Sequence, residues 1–491
     1  MSISTDQEPV REPVGEQDRS TAADPTPGEL RRSVVRLAGP VCLALVVGAL
    51  AQLAVAALLG HMGDDALYVR SLYIPVAFLV LALQEGLDVS TQVGFARLRG
   101  SGGRVRPARS LLVLGVAGTA LLVVVALAVL LVAPALAGLL DVPAERARDF
   151  VTFTRWMALT SVLSVPTVVA AAALRGWGRT TPSALLSLLA AGVQVGGVWL
   201  VGLVGGTGVM SVPVSAALSA VVAGGAALVL LRRHGLLQSP TVRLTTVRTP
   251  TERRTTLHLS TPRLPASLVR PGDGVVDARA LLLGIGLPVG LSYLLLTVTN
   301  LVTVWVVGPW GTDVVAGYGA AATVQTLLVV PAIGFAAATS VVMNQQWGGG
   351  LLRLLPVTLR AATVVVAGMY VAIGLLALLA APAVARLMAA DPAVTEQTTL
   401  YLRIVGPSLA GTGIVLFLIT VLEQLGYGRT AVLLNVVYFA TSLGVGGVLA
   451  RSGGGPVALY WTIAAVNAVA LAVVLPIAVR LVRRRADEAT P

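Results

Sequence analysis

Apolar runs of about 20 residues recur twelve times along this chain, separated by short polar clusters. They lie near 34–59, 67–95, 110–133, 150–173, 183–203, 212–231, 280–307, 315–343, 358–381, 397–422, 430–450 and 457–480. A helix needs about 20 such residues to cross a bilayer. Within hydrocarbon every backbone N–H and C=O must find an internal partner, which leaves helices or closed barrels. A barrel would show alternating segments of roughly ten residues instead. Composition agrees: 56% of residues are hydrophobic and 12% charged, about half the charge of a soluble domain. Mean hydropathy is +0.86. The expected fold class is all-α and polytopic, with 12 transmembrane helices.

The chain has no lysine, so its basic side chains, histidine aside, are arginines. With the N-terminus inside, most fall on one face. Arg31, Arg32 and Arg36 precede the first run, and Arg97, Arg99, Arg104, Arg106 and Arg109 follow the second. The stretch from Arg232 to Arg279 carries nine, and Arg480, Arg483, Arg484 and Arg485 follow the last run. The opposite face has only Arg146, Arg148, Arg386 and Arg451. Basic loops stay cytoplasmic during insertion, so both termini are expected there, against anionic lipid head groups. This accounts for the net charge of +12 without nucleic-acid binding, for which no basic soluble domain exists. Residues 1–33, rich in Pro, Glu, Asp, Thr and Ser, read as a disordered tail, and acids stand where a secretory signal would be basic. Cys42, the single cysteine, excludes an intrachain disulfide and reads as an apolar packing residue.

The sequence also matches itself. Displaced by 248 residues, Pro40-Val41 falls on Pro288-Val289, Gly60 on Gly308, Gly63 on Gly311, Asp65 on Asp313, Gly86 on Gly334, Thr91 on Thr339 and Gly100 on Gly348. After a two-residue shift, GWGRT at Gly176–Thr180 meets GYGRT at Gly426–Thr430. Each pentapeptide is expected to be a tight turn after the fourth helix of its half, the glycines reversing the chain and the arginine holding the turn at the surface. Six helices per half return the chain to its starting side. The halves then insert in the same orientation, related by a pseudo-two-fold along the membrane normal. The expected organisation is an N-lobe at 34–231, a linker at 232–279, a C-lobe at 280–480 and a tail at 481–491.

LGHMGDDAL (Leu59–Leu67), LRGWGRTTPSALL (Leu174–Leu186), GLPVGLSY (Gly286–Tyr293) and VVGPWGTDVVAGYG (Val306–Gly319) occur in an order and spacing that resembles the MATE (multidrug and toxic compound extrusion) family over residues 34–480. The resemblance implies two six-helix lobes around a central cavity and export of amphipathic, often cationic, compounds by alternating access in a bacterial cytoplasmic membrane. It implies H⁺ or Na⁺ as the coupling ion and no other cofactor. Many relatives carry an aspartate in the first helix, where this chain has Val55. Others carry a glutamate in the seventh, where Leu296 stands.

Carboxylates inside a span are costly and mark function. The second run, FLVLALQEGLDVSTQVGF (Phe78–Phe95), holds Glu85 and Asp88. Three positions apart, they share a helical face, which Gln84, Thr91 and Gln92 extend. The corresponding stretch of the eighth run has Ala332, Ile333 and Ala336, so the titratable stripe is expected in one lobe only. Desolvation and mutual repulsion disfavour two charges there, which suits proton exchange. The bland alternative is a solvated helix end. Gln52 and Asn300 pair under the repeat and either line a cavity or bond between helices. Tyr293, Gln325, Tyr438 and Tyr460 are candidates for an aromatic cavity wall that holds cations, against a role as interfacial anchors. Glu423, at the inner end of the tenth run, is expected to reach solvent.

His61, His234 and His258 fall in loops, and no HExxH, Cys-His cluster or GxxxxGK[ST] is present. The expectation is a transporter of a small molecule, neither an enzyme nor dependent on a protein partner. A flippase for a lipid-linked precursor would need a cationic cavity, and Arg70, Arg155 and Arg403 lie near helix ends. A non-transporting scaffold or receptor derived from a transporter is the third reading.

Overall fold

The structure is a computed structural model that describes residues 25–102, 106–140, 142–237, 274–388 and 391–488. The first half contains α1 (Pro27–His61), α2 (Asp64–Gly100), α3 (Pro107–Leu139), α4 (Ala144–Leu163), α5 (Val165–Gly176), α6 (Thr180–Gly197) and α7 (Ser211–Arg233). The second contains α8 (Ala278–Leu281), α9 (Leu287–Val307), α10 (Thr312–Gly348), α11 (Leu355–Met388), α12 (Pro392–Val405), α13 (Leu409–Gln424), α14 (Gly428–Leu449) and α15 (Gly455–Asp487). Short helices combine into single spans. Pro166 follows the break between α4 and α5, which bend by 41°; proline is an ordinary cause of such a kink. A tight turn, Gly406–Ser408, joins α12 to α13, and a wide one, Leu282–Gly286, joins α8 to α9. Gly453 (φ 110°) and Gly455 (φ 63°) divide α14 from α15. Among the described residues this gives twelve spans in two six-helix halves.

Packing repeats the internal symmetry. In the first half α2 packs on α5, α3 on α4, α6 on α7 and α1 on α6; in the second, α10 packs on α13, α11 on α12, α14 on α15 and α9 on α14. The halves also exchange contacts: α1 packs on α10, and α9 on α2. The start of each half's first span enters the other half's core. Leu30, Val34 and Leu37 join the cluster around Val366, Phe417 and Leu418. Ala278, Leu281 and Ile285 join the cluster around Phe95, Leu114 and Leu174. The twin glycines lie where α2 meets α10. A Cβ on Gly100 would strike the Gln345 carbonyl, and one on Gly348 would strike that of Arg97.

Three expectations are corrected. Helix α1 begins at Pro27, inside the stretch read as a tail. Thr26 accepts from the Glu29 N–H while Glu29 accepts from Thr26, a capping box, and Leu30 and Val34 are buried. Helix α15 likewise runs to Asp487, past the expected end at 480. Most of the expected tail and the central part of the expected linker lie outside the described residues. The pentapeptides, finally, are out of structural register by two. Gly178 (φ 75°) and Gly426 (φ 89°) are the equivalent turn glycines. Arg179 N–H donates to Leu174 O at 2.8 Å, and Tyr427 N–H to Leu422 O at 2.9 Å. Gly178 N–H donates to Arg175 O, and Gly426 N–H to Glu423 O. Both turns are therefore the same glycine-capped helix ending, and the 248-residue displacement holds through them without a shift.

Candidate functional site

Helix α2 crosses α5 at close range because Gly176 stands against its backbone, where a Cβ would come within 2.9 Å of Phe95 Cβ and 3.0 Å of Ala96 N. It meets α9 across Gly290, whose Cβ would lie 3.0 Å from the Ala82 carbonyl. These approaches enclose a chamber of about 510 Å³ between the halves, walled by α1, α2, α5, α6, α9, α10, α13 and α14. Most of the wall is apolar, with Val289, Leu296, Val415, Leu416, Ile419 and Phe439 among its residues.

Four charged side chains line it: Glu85, Asp88, Arg175 and Glu423. Arg175 Nη2 donates to both carboxylate oxygens of Asp88, and its Nε donates to Gln92 Oε1 at 3.0 Å. The contact is charge-assisted, and so stronger than a bond between neutral groups. Glu85 shares the chamber lining with Tyr293. Glu423 accepts from the Ser292 hydroxyl at 2.5 Å, and Ser292 accepts from Asn435 Nδ2 at 3.0 Å. Glu423 is only 5% exposed, which corrects its expected place in bulk solvent. The second half therefore contributes a carboxylate of its own. Arg175 and Glu423 are twins in the structural register, with opposite charge.

The stripe on α2 divides. Glu85, Asp88 and Gln92 face the chamber, whereas Gln84 donates to Ser164 Oγ at 2.8 Å and the buried Thr91 bonds Leu87 O. At 100° per residue, Gln84 and Thr91 sit about 100° or more round the helix from Glu85. Tyr293, Gln325 and Tyr438 also line the chamber. Gln325 accepts from Tyr401 at 2.7 Å, and Tyr438 donates to Asn467 at 2.5 Å. Tyr460 is buried against Tyr401, ring centroids 4.9 Å apart, away from the chamber wall. Gln52 and Asn300 are exposed and are not among the wall residues. Val55 is buried in an apolar cluster with Phe150 and Phe153, while Leu296 faces the chamber.

One end of the chamber is sealed where α2, α10 and α13 converge. Gln92 Nε2 donates to Gln424 Oε1 at 3.0 Å, Arg97 Nε to Asn344 Oδ1 at 2.8 Å, and Gln345 Nε2 to Gly176 O at 2.9 Å. Trp347 lies between two guanidinium groups, Arg97 at 4.0 Å and Arg485 at 4.6 Å from its ring. This is the arginine-rich end of the molecule.

The sequence profile of the MatE family matches residues 40–200 and 288–446, more than half of the chain. The chain belongs to the MatE family. Its two matched segments begin 248 residues apart, the displacement of the internal repeat. Among solved structures it resembles a mutant of the Vibrio cholerae MATE transporter VcmN (TM-score 0.81, 17% identity, 95% of this chain and 99% of that one). It also resembles an outward-facing multidrug-resistance MATE transporter (TM-score 0.78, 21% identity, 93% and 96% covered). A third is a MOP-superfamily transporter from Pyrococcus furiosus described as having a binding pocket of reversed polarity (TM-score 0.75, 20% identity, 94% and 97% covered). Comparison with curated proteins finds no similar sequence. The MatE chain is accordingly a multi-pass membrane transporter by family and fold. Among its described residues no group of three His, Cys, Asp or Glu side chains is placed to hold a metal ion.

Proposed function

We propose that this MatE-family protein exports amphipathic organic cations, natural products among them, in exchange for protons. The observation that carries the reading is the chamber's charge. Arg175 is committed to Asp88, which leaves Glu85 on α2 and Glu423 on α13 in a largely apolar cavity. A flat or greasy cation gains from both: apolar burial of its body and carboxylates around its charge. The same carboxylates take up protons. A proton and a cation that compete for one site exchange across the membrane, provided the site faces the two sides in turn. In the orientation set by the arginine bias, the sealed end is cytoplasmic. The membrane is then the cytoplasmic membrane of a bacterium, with both termini inside.

A flippase would need an unpaired cationic group for its phosphate cargo, and the chamber's one arginine is paired. The test is ethidium transport in proteoliposomes under an imposed pH gradient or an imposed Na⁺ gradient. The pH gradient is expected to drive it and the Na⁺ gradient not. Glu85→Gln, Asp88→Asn and Glu423→Gln keep side-chain shape, and at least one should lower gradient-driven flux by about tenfold or more. Wild-type flux in all three single variants and in the triple variant would end the proposal.

A further inference from the structure

We propose that Gln92 transmits the state of the Asp88–Arg175 pair to the sealed end, and that the orientation of its amide carries the message. The purpose of such a link rests on the exporter reading; its geometry does not. Arginine has donors only. With Arg175 Nε donating at 3.0 Å, the Gln92 oxygen must face Arg175, so its NH₂ group must face the other way. That NH₂ donates across the midline to Gln424 Oε1. The main-chain oxygen of Gln424 accepts from Asn344 Nδ2 at 3.2 Å, and Asn344 Oδ1 accepts from Arg97 Nε. A single polar chain thus runs from a chamber carboxylate to the arginines of the seal, crossing between halves at Gln92–Gln424 and again at Asn344–Arg97.

Burial makes the chain matter. Gln92 and Gln424 are each 2% exposed and Asn344 is fully buried, so water does not replace a lost partner there, and an unmatched polar group costs far more than at a surface. Protonation of Asp88 removes the charge that holds the guanidinium. Gln92 then loses the donor that orients it, and the bridge to Gln424 is no longer enforced. A ligand shifts a conformational equilibrium only through contacts that differ between the two states. This bridge is such a contact, because parting the halves at that end removes it. Gln92 is in this sense a positioning residue for the coupling.

Direction gives the test its edge. Position 92 must both accept and donate, whereas the position 424 side chain need only accept. Gln92→Glu keeps the acceptor for Arg175 and sets two acceptors face to face; Gln92→Met removes these bonds together with the longer one from Gln92 Nε2 to Ala337 O at 3.5 Å. Gln424→Glu keeps the bridge. Spin labels at Arg179→Cys and Arg429→Cys, exposed positions beside the twin turns of the two halves, report the seal in a Cys42→Ser background. Pulsed electron-electron resonance in nanodiscs should give one short distance for the parent and for Gln424→Glu. Gln92→Glu and Gln92→Met should move most of the population to longer distances. If Gln92→Glu fails to fold, the contrast between Gln92→Met and Gln424→Glu still decides. Parent-like distances in the Gln92 variants overturn the proposal, as does opening by Gln424→Glu equal to that by Gln92→Met. The readout needs no cargo, so its outcome is separate from that of the transport assay.

Discussion

Arg175 and Glu423 are the two charged chamber residues whose place the sequence hid. Both lie within a turn of a helix end, where a charge ordinarily reaches water. The two glycine pentapeptides also drew the repeat out of register, so Arg175 faced Leu425 and not Glu423. The signal was present: both charges stand three residues before the turn glycine, Gly178 or Gly426. Glu85, Asp88 and Gln92 were legible because carboxylates in an apolar run are rare and helical spacing set them on one side. Gln84 was grouped with them because spacing alone does not say which edge of a polar stripe meets a neighbouring helix. The Asp88–Arg175 pair carries a stability prediction. Arg175→Met leaves a largely buried carboxylate without its partner, a loss of about 3–5 kcal/mol. It should lower thermal stability in detergent more than Asp88→Asn does, and the double variant Arg175→Met/Asp88→Leu should recover most of it. A double variant no more stable than Arg175→Met would show that the pair is not the cause.

The spans themselves were legible at the scale of elements, since a bilayer demands long apolar runs and allows few other structures. The beginning of α1 was not, because Arg31, Arg32 and Arg36 mask the buried Leu30, Val34 and Leu37 that alternate with them. The TPGE sequence at Thr26–Glu29 was the overlooked start signal. Helix ends give two tests. A left-handed turn position holds glycine because an L side chain there costs about 1–2 kcal/mol. Gly426 has open space around its Cβ position, so Gly426→Ala isolates that strain. It should lower thermal stability, and Gly426→Asn should lower it less. Equal stability of all three would contradict the shared turn geometry. Gly100 and Gly348, by contrast, are held by contact. Alanine at either forces α2 from α10 and should expose the seal to a water-soluble thiol reagent at Gln345→Cys, in a Cys42→Ser background; unchanged protection would argue against the crossing.

The two halves are legible as a repeat at the scale of the molecule, but their exchange of first-span packing is not, because a repeat says which parts are alike and nothing of which half they pack into. Orientation follows from arginine placement. In intact cells, cysteine at Ser101 in a Cys42→Ser background should resist an impermeant thiol reagent, and cysteine at Thr312 should react; the opposite pattern would invert the molecule in the membrane. The central claim is that cargo and proton share the carboxylates of one chamber. It predicts that cation affinity rises with pH, since deprotonated carboxylates favour the cation, and that binding expels protons. Calorimetric titration with ethidium in buffers of different ionisation enthalpy counts those protons. Wild-type protein should release protons as the cation binds, and the Glu85→Gln/Asp88→Asn/Glu423→Gln variant should release none. Binding by the wild type without proton release, or the same release from the triple variant, would contradict the account.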